Sequence, residues 1–278
     1  MLRLGRSFYK LSGSGNDFVF IDIRTEPASE LESPSVVEAI CARGTGVGAD
    51  GIVFLGRSDS ATIAIRYLNS DGSLAVLCGN ATLCAARMAR ELGMAPKAGE
   101  DLSIWTDSGV VQARFRGESP EIDLQPVSEL QECFDSELQN GERRIGFVRV
   151  GVPHLVVLCD DVGTAEVLER GRKLRHHNDL RDGANVNFVS RLGDRWQIRT
   201  YERGVENETL ACGTGAVGTA LLLAVWDQAG GDGVEFDTRS GRTLRVHHRN
   251  DGARFYPSLS GEARIVYVGQ LGELPDFG

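Results

Sequence analysis

The sequence predicts a mixed α/β chain of the α+β kind, made of two halves of like plan, each with many strands wrapped around a central helix. An internal repeat is the first observation behind this. Cys78-Gly79-Asn80-Ala81 and Cys212-Gly213-Thr214-Gly215 form the same local word, 134 residues apart, each leading into an alanine-rich stretch. Tyr67, ahead of Asn69-Ser70-Asp71, matches Tyr201, ahead of Glu202-Arg203-Gly204, at the same spacing. Gly48–Val53 resembles Gly183–Phe188 at 135, and Asn16–Val19 stands against His154–Val157 at 138. A repeat near half the chain marks two related domains, because solenoid repeats run ~20–50 residues. The second observation is that short β-branched and aromatic runs outnumber helical ones. The third is that both helices following the cysteines are rich in Ala and Leu nearly all round, the mark of a helix buried inside its domain.

The elements follow in order. Met1-Leu2-Arg3-Leu4 leads into a strand-like run, and strands are expected at Phe18–Ile23, Ile52–Leu55, Thr62–Leu68, Val110–Phe115, Phe147–Val150, Leu155–Leu158, Trp196–Thr200 and Arg242–His247, each bounded by turn residues. One helix is bracketed by Ser33 as N-cap, Pro34 in the first turn and Gly44 after Arg43. A second runs from Gly79 to Leu92 and stops at Gly93, and its counterpart runs from Gly213 to Trp226. The first domain is expected over 1–125, the second over 126–262, with a join near Gln125-Pro126. The C-terminal strand, Ala263–Val268 within 263–278, is expected to return to the first domain.

Composition narrows the function. The 278 residues suffice for two domains, each with its own core. A net charge of −9 and 41% hydrophobic content argue against a nucleic-acid partner, which needs clustered positive charge. The start of the chain shows no apolar stretch long enough for a signal peptide or a membrane span, so no membrane partner and a cytoplasmic location are expected. Six cysteines are too sparse for a disulfide scaffold and are expected as thiols. Cys41, Cys133 and Cys159 read as buried or incidental. Cys84 follows Cys78 at a spacing that is not a usual zinc spacing, so no metal is expected. Pyridoxal chemistry needs a Schiff-base lysine, and Lys10, Lys97 and Lys173 stand in no catalytic-looking setting; no cofactor is expected. Gly13-Ser14-Gly15-Asn16 lacks the ending of a phosphate loop.

What remains is the paired thiol. A cysteine at a helix start sits beside unpaired backbone N–H groups that favour its thiolate and also attract a carboxylate. Gly79, Gly213, Thr214 and Gly215 are small enough for a ligand to approach the backbone. Two such helix starts meeting across a cleft would hold an amino-acid carboxylate with a sulfur on each face of Cα, one thiolate removing the proton while the opposite thiol returns another. The same donors would stabilise the enolate-like charge. A single Cys-Gly word is more often an inert small hydrophobe at a helix start; the symmetric pair shifts the balance.

These residues resemble the diaminopimelate epimerase family, the pyridoxal-independent enzymes of bacterial lysine and cell-wall synthesis. Gly13–Phe18, Gly46–Gly51, Asn69–Ser73, Cys78-Gly79-Asn80, Pro153-His154, Asn185–Phe188, Tyr201–Gly204 and Glu208–Gly215 carry the resemblance along nearly the whole chain. It implies two pseudo-symmetric domains, each a strand barrel around a central helix, with the site between them. It implies epimerisation of LL-2,6-diaminopimelate to the meso isomer, with Cys212 as base, Cys78 as acid, and His154 and Glu202 tuning the thiols. Asn16, Asn69, Asn185, Glu202 and Arg203 would read the distal amino and carboxylate groups, and Gly79, Asn80, Gly213 and Thr214 complete the substrate-binding set. The chain departs from the family pattern at Ala81, Thr82 and Leu83, where Gly, a variable residue and Arg are usual. It also departs at Leu74, Val152 and in the loop lengthened by Glu206-Asn207.

Two other readings stand beside this one: a two-thiol racemase or isomerase of the same superfamily acting on another amino acid, and a non-catalytic binding module with the same fold. Intact Cys78 and Cys212 weigh against the module, and Arg203 with Asn185 favours a dicarboxylate substrate. A small-molecule amino acid is the expected partner, and the sequence leaves a homodimer open.

Overall fold

A computed structural model of the chain describes residues 2–3, 5–74, 78–95, 101–230 and 233–274; Met1, Leu4, Lys97 and the last residues of the terminal segment lie outside these. The chain divides into two compact units, Met1–Ile122 with Gly261–Gly278, and Asp123–Ser260.

In the first unit, the ladder runs in space from Arg264–Gln270 to Ser7–Gly13, Asn16–Asp22, Gly51–Gly56, Ile63–Asn69, Leu102–Thr106, Gly109–Arg116 and Ser119–Asp123. Hairpins alternate with parallel joins: Asn16–Asp22 is parallel to Gly51–Gly56, and Ile63–Asn69 to Leu102–Thr106. The other neighbours are antiparallel. Leu2–Arg3 pairs separately with Glu273–Leu274. Because side chains alternate along a strand, Val19, Ile21, Ile52 and Phe54 face one side and join a core with Val37 and Ile40 of α1 (Pro34–Cys41). Phe18, Phe20 and Val53 face the other side, where the strands wrap α2 (Gly79–Glu91).

The second unit repeats this plan. Glu142–Val150 pairs antiparallel with Val152–Cys159, which runs parallel to Asn185–Leu192, itself antiparallel to Arg195–Glu202. Arg195–Glu202 is parallel to Val234–Asp237, and Thr243–Asn250 and Phe255–Ser260 follow antiparallel. Leu155, Val157, Val186 and Phe188 pack with Val167 and Leu174 of α3 (Val167–Arg175), and the opposite sheet face wraps α4 (Gly213–Val225).

Several expectations shift. α1 ends at Cys41 rather than reaching Arg43, and Ser33 makes no side-chain cap bond, its Oγ lying 3.1 Å from Ser35 Oγ. The reason lies in the following loop, where the N–H groups of Gly46, Val47 and Ala49 take the carbonyls of Ala42, Ile40 and Cys41. α3 and the strands Leu102–Thr106, Ser119–Asp123, Asn185–Leu192, Val234–Asp237 and Phe255–Ser260 were not anticipated. α2 is not buried all round: Arg87, Arg90 and Glu91 bring its last turns toward solvent, tied by Arg87–Glu91 and Arg90–Glu118 pairs. Cys133 is exposed, whereas Cys41, Cys84 and Cys159 are buried, and burial pushes the Cys41 and Cys159 thiols up to about 12.

The ladder also refines the repeat. Phe18 lies opposite Gly51 as His154 lies opposite Asn185, and Val53 opposite Tyr67 as Asn187 opposite Thr200. Phe18, not Asn16, therefore holds the place of His154, and Tyr67 that of Thr200 rather than Tyr201.

Candidate active site

Cys78 and Cys212 are the N-cap residues of α2 and α4, with nearly the same backbone: φ −127°, ψ 112° at Cys78 and φ −130°, ψ 109° at Cys212. Both are partly exposed, and both helices run 13 residues. Neither first turn carries an acidic side chain, so the orphan N–H groups there meet no carboxylate from within their own helix. At Cys78 the carbonyl accepts from both the N–H and the hydroxyl of Thr82, each at 2.9 Å, which occupies an acceptor and leaves the donors alone. Thr82 thereby finds local work at one of the positions that depart from the family pattern. Its neighbours Ala81 and Leu83 are buried in the core, where an arginine at 83 would lose its hydration.

In the first unit, Asn80 is buried and donates to Asn16 Oδ1 at 2.7 Å; Asn16 in turn donates to Asp50 at 3.0 Å. Asp50 also accepts from Arg43 at 2.8 Å, and Arg43 bridges to Asp17 at 2.6 Å. Lys10 pairs with Asp17 at 2.6 Å and donates to the Gly48 carbonyl. Burial works against the Asp17 carboxylate, yet Arg43 and Lys10 outweigh it and hold its pKa below the ordinary value. Asn80 Oδ1 is a buried acceptor with no hydrogen-bond partner among the described residues. Gly13 makes the approach possible, since a Cβ there would lie 2.8 Å from Cys84 Sγ and 2.9 Å from the Asn80 carbonyl. Asn69 stands apart from this chain, donating to Ser73 Oγ at 3.0 Å in the following turn.

In the second unit, Cys212 Sγ lies 3.6 Å from Thr214 Oγ1. His154 is fully buried, and desolvation, with the Arg203 charge adding to it, pushes its pKa down to about 3, so the ring is neutral. Asn187 Nδ2 lies 3.2 Å from His154 Nδ1 and 3.0 Å from the Leu155 carbonyl, while Thr200 donates to Asn187 Oδ1 at 2.9 Å. Asn185 Oδ1 accepts the Arg203 N–H at 2.7 Å, and the Arg203 guanidinium donates to the Asp182 carbonyl at 3.2 Å. Glu202 closes its strand and pairs with Asn207, the ladder continuing into the lengthened loop. There Glu206, at φ 55°, accepts from the Gly204 N–H at 3.0 Å and from Arg175 at 3.1 Å, and these hold its pKa low.

The structure thus groups Asn16 with Asn80, His154 with Asn187, and Asn185 with Arg203. Sequence reasoning missed Asp50, Arg43, Lys10, Asn187 and Thr200. Asn187 carried a signal, an amide set between the apolar Val186 and Phe188, where a buried polar group demands partners. Among the described residues, no group of His, Cys, Asp and Glu is gathered to hold a metal ion, and no helix is long and apolar enough to cross a membrane.

Solved structures share the fold. The Bacillus anthracis phenazine biosynthesis protein of the PhzF family superposes with a TM-score of 0.75 at 15% identity, over 96% of this chain and 98% of that one. A hydroxyproline epimerase from Agrobacterium vitis gives 0.69 at 19% identity, over 98% and 94%. Sequence relatives are nearer. The diaminopimelate epimerase of Gemmatimonas aurantiaca is 43% identical across 96% of this chain and all of its own length, and that of Aquifex aeolicus 38% identical across 96% and 98%. The family model of diaminopimelate epimerase matches residues 8–128 and again 146–266, once in each half of the repeat. With both halves matched and relatives aligned end to end, the chain belongs to the diaminopimelate epimerase family.

Proposed function

We propose that this chain epimerises LL-2,6-diaminopimelate to the meso isomer without a cofactor, in the synthesis of lysine and peptidoglycan precursors in the cytoplasm. Cys212 takes the α-proton and Cys78 supplies its replacement, with the roles exchanged in reverse. The observation that supports this most is the duplicated helix start, a thiol residue at the N-cap of α2 and of α4 in the same backbone conformation. A helix N-terminus favours a thiolate and a bound carboxylate alike. Donors already aimed at the carboxylate stabilise the charge that builds as Cα loses its proton. Gly79, Asn80, Gly213 and Thr214 present those first-turn donors. His154 and Glu202 tune the thiols, and Asn16, Asn69, Asn185, Glu202 and Arg203 bind the end of the substrate that is not inverted.

The test is solvent deuterium uptake at Cα of LL-diaminopimelate. The native chain should incorporate one deuteron per inversion, and Cys78→Ala or Cys212→Ala should lower epimerisation by at least about 10³-fold, since each removes a proton carrier for which nothing else substitutes. Appreciable inversion in either variant, or faster exchange with a monocarboxylate amino acid than with diaminopimelate, would refute the assignment.

A further inference from the structure

His154, Asn187 and Thr200 form a buried polar trio on the α4 side of the second sheet. The equivalent ladder positions of the first unit hold Phe18, Val53 and Tyr67, where Phe18 and Tyr67 pack edge to face at 5.7 Å. The same sheet therefore folds in the first unit with apolar and aromatic side chains at these places. A buried polar cluster is costlier than a hydrophobic one of similar volume unless each member is satisfied, and here one member is not: His154 Nε2 is buried with no hydrogen-bond partner among the described residues. Fold stability does not account for that arrangement.

The hydrogen bonds fix its chemistry. The Leu155 carbonyl can only accept, so the Asn187 atom beside it must be the NH2 group, and the Thr200 hydroxyl then donates to the Asn187 oxygen. The second amide hydrogen is left for His154 Nδ1, which must be bare to receive it. A neutral ring with a bare Nδ1 carries its proton on Nε2. We infer that Asn187 is a positioning residue that locks His154 as the Nε2–H tautomer, so that the buried imidazole acts as a hydrogen-bond donor and not as a base. This rests on the reading that His154 tunes a thiol: a fixed N–H donor favours thiolate over thiol without taking its proton. Gly215 ties the device to α4, because a Cβ there would collide with Asn187 Oδ1 and lie 3.2 Å from Cys212 Sγ. The amide and the thiol border the same point, and only a residue without a side chain leaves room for both.

Long-range 1H–15N NMR on the labelled full chain reads the tautomer directly, with the His154 signals assigned by their loss in His154→Gln. The native protein should show Nδ1 bare and Nε2 protonated. Asn187→Asp keeps the shape but replaces the donor with a carboxylate, which should draw the proton to Nδ1 and reverse the pattern. In that variant kcat should fall by about 10²-fold or more while KM stays within about threefold, as a wrong tautomer leaves binding geometry intact. A native signal from Nδ1–H or from imidazolium would overturn the inference without need of any variant, and so would an Asn187→Asp protein whose tautomer and kcat are both unchanged. Full kcat in His154→Gln would instead remove the role of His154 on the thiols, leaving the tautomer result standing.

Discussion

The first turns of α2 and α4 share a backbone but are supported by opposite kinds of chemistry. Asn80, second in α2, turns away to Asn16 and so into a line of charges, Asp50, Arg43, Asp17 and Lys10. Thr214, at the same place in α4, turns to the Cys212 sulfur, and the groups behind that turn, Asn187, His154 and Thr200, are all neutral. The repeat thus preserves the helix start and lets its backing diverge. A charged backing is held partly at the surface, where water and salt weaken it; a neutral one is held by burial, and titrates only at a cost to the fold.

The largest expected effect follows from that burial. His154 has its pKa depressed from 6.5 to about 3, so the unfolded chain binds the proton more readily than the folded one. Its contribution is fully present above pH 6.5 and is lost as pH falls toward the folded value. Between about pH 7.5 and pH 5 the loss should reach about 2 kcal/mol. Urea unfolding at the two pH values should show that decline in the native chain and a flatter response in His154→Gln, a difference that cancels His248, whose pKa burial also lowers. Equal slopes in the two proteins would mean that the ring is not desolvated.

The charged backing should behave the other way. Arg43 bridges Asp17 and Asp50 but is itself largely exposed, so Arg43→Met should cost only about 0.5–1 kcal/mol. That cost should shrink as salt is raised, whereas the pH effect at His154 should not. A midpoint shift in urea with an unchanged slope is the measurement. If both respond to salt alike, the contrast between the two backings fails.

What could be read from the residues alone follows the same division. The thiol-led helices were legible because an alanine-rich run follows each Cys-Gly word, though the last turns of α2 reach solvent, and many of the strands because β-branched runs stop at turn residues. α3 was hidden, since two of the places on its buried face are filled by Arg170 and Gly171, which break the apolar spacing of Val167 and Leu174. Arg170 is tolerated there because Glu142, from a distant strand, pairs with it at 2.8 Å and the Glu137 carbonyl accepts from it at 2.7 Å. The Asn185–Leu192 strand was hidden by the asparagines that give it a role. The Asp50–Arg43–Asp17 line joins residues that neither a helical nor a strand period would bring together, so it exists only in the fold.

The helix ends sharpen the comparison at its smallest scale. Past Leu92 the chain turns through Gly93 at φ 68°, and past Trp226 it turns through Asp227 at φ 56°; in both, later N–H groups reach back, Met94 to Ala89 and Gln228 to Leu223. The turn is the same, but only glycine enters this left-handed region without a Cβ clash. Asp227 also sets a negative charge beside the negative end of the α4 dipole. Both effects oppose the native residue, and the extra chain entropy of glycine in the unfolded state offsets only part of them. Asp227→Gly should therefore stabilise the protein by about 0.5 kcal/mol, read as a rise in thermal midpoint, while Gly93→Ala should lower it by about 1 kcal/mol. Opposite signs from equivalent sites would show that the two halves differ in fitness for one shared turn; a loss in both would show that Asp227 holds something glycine cannot.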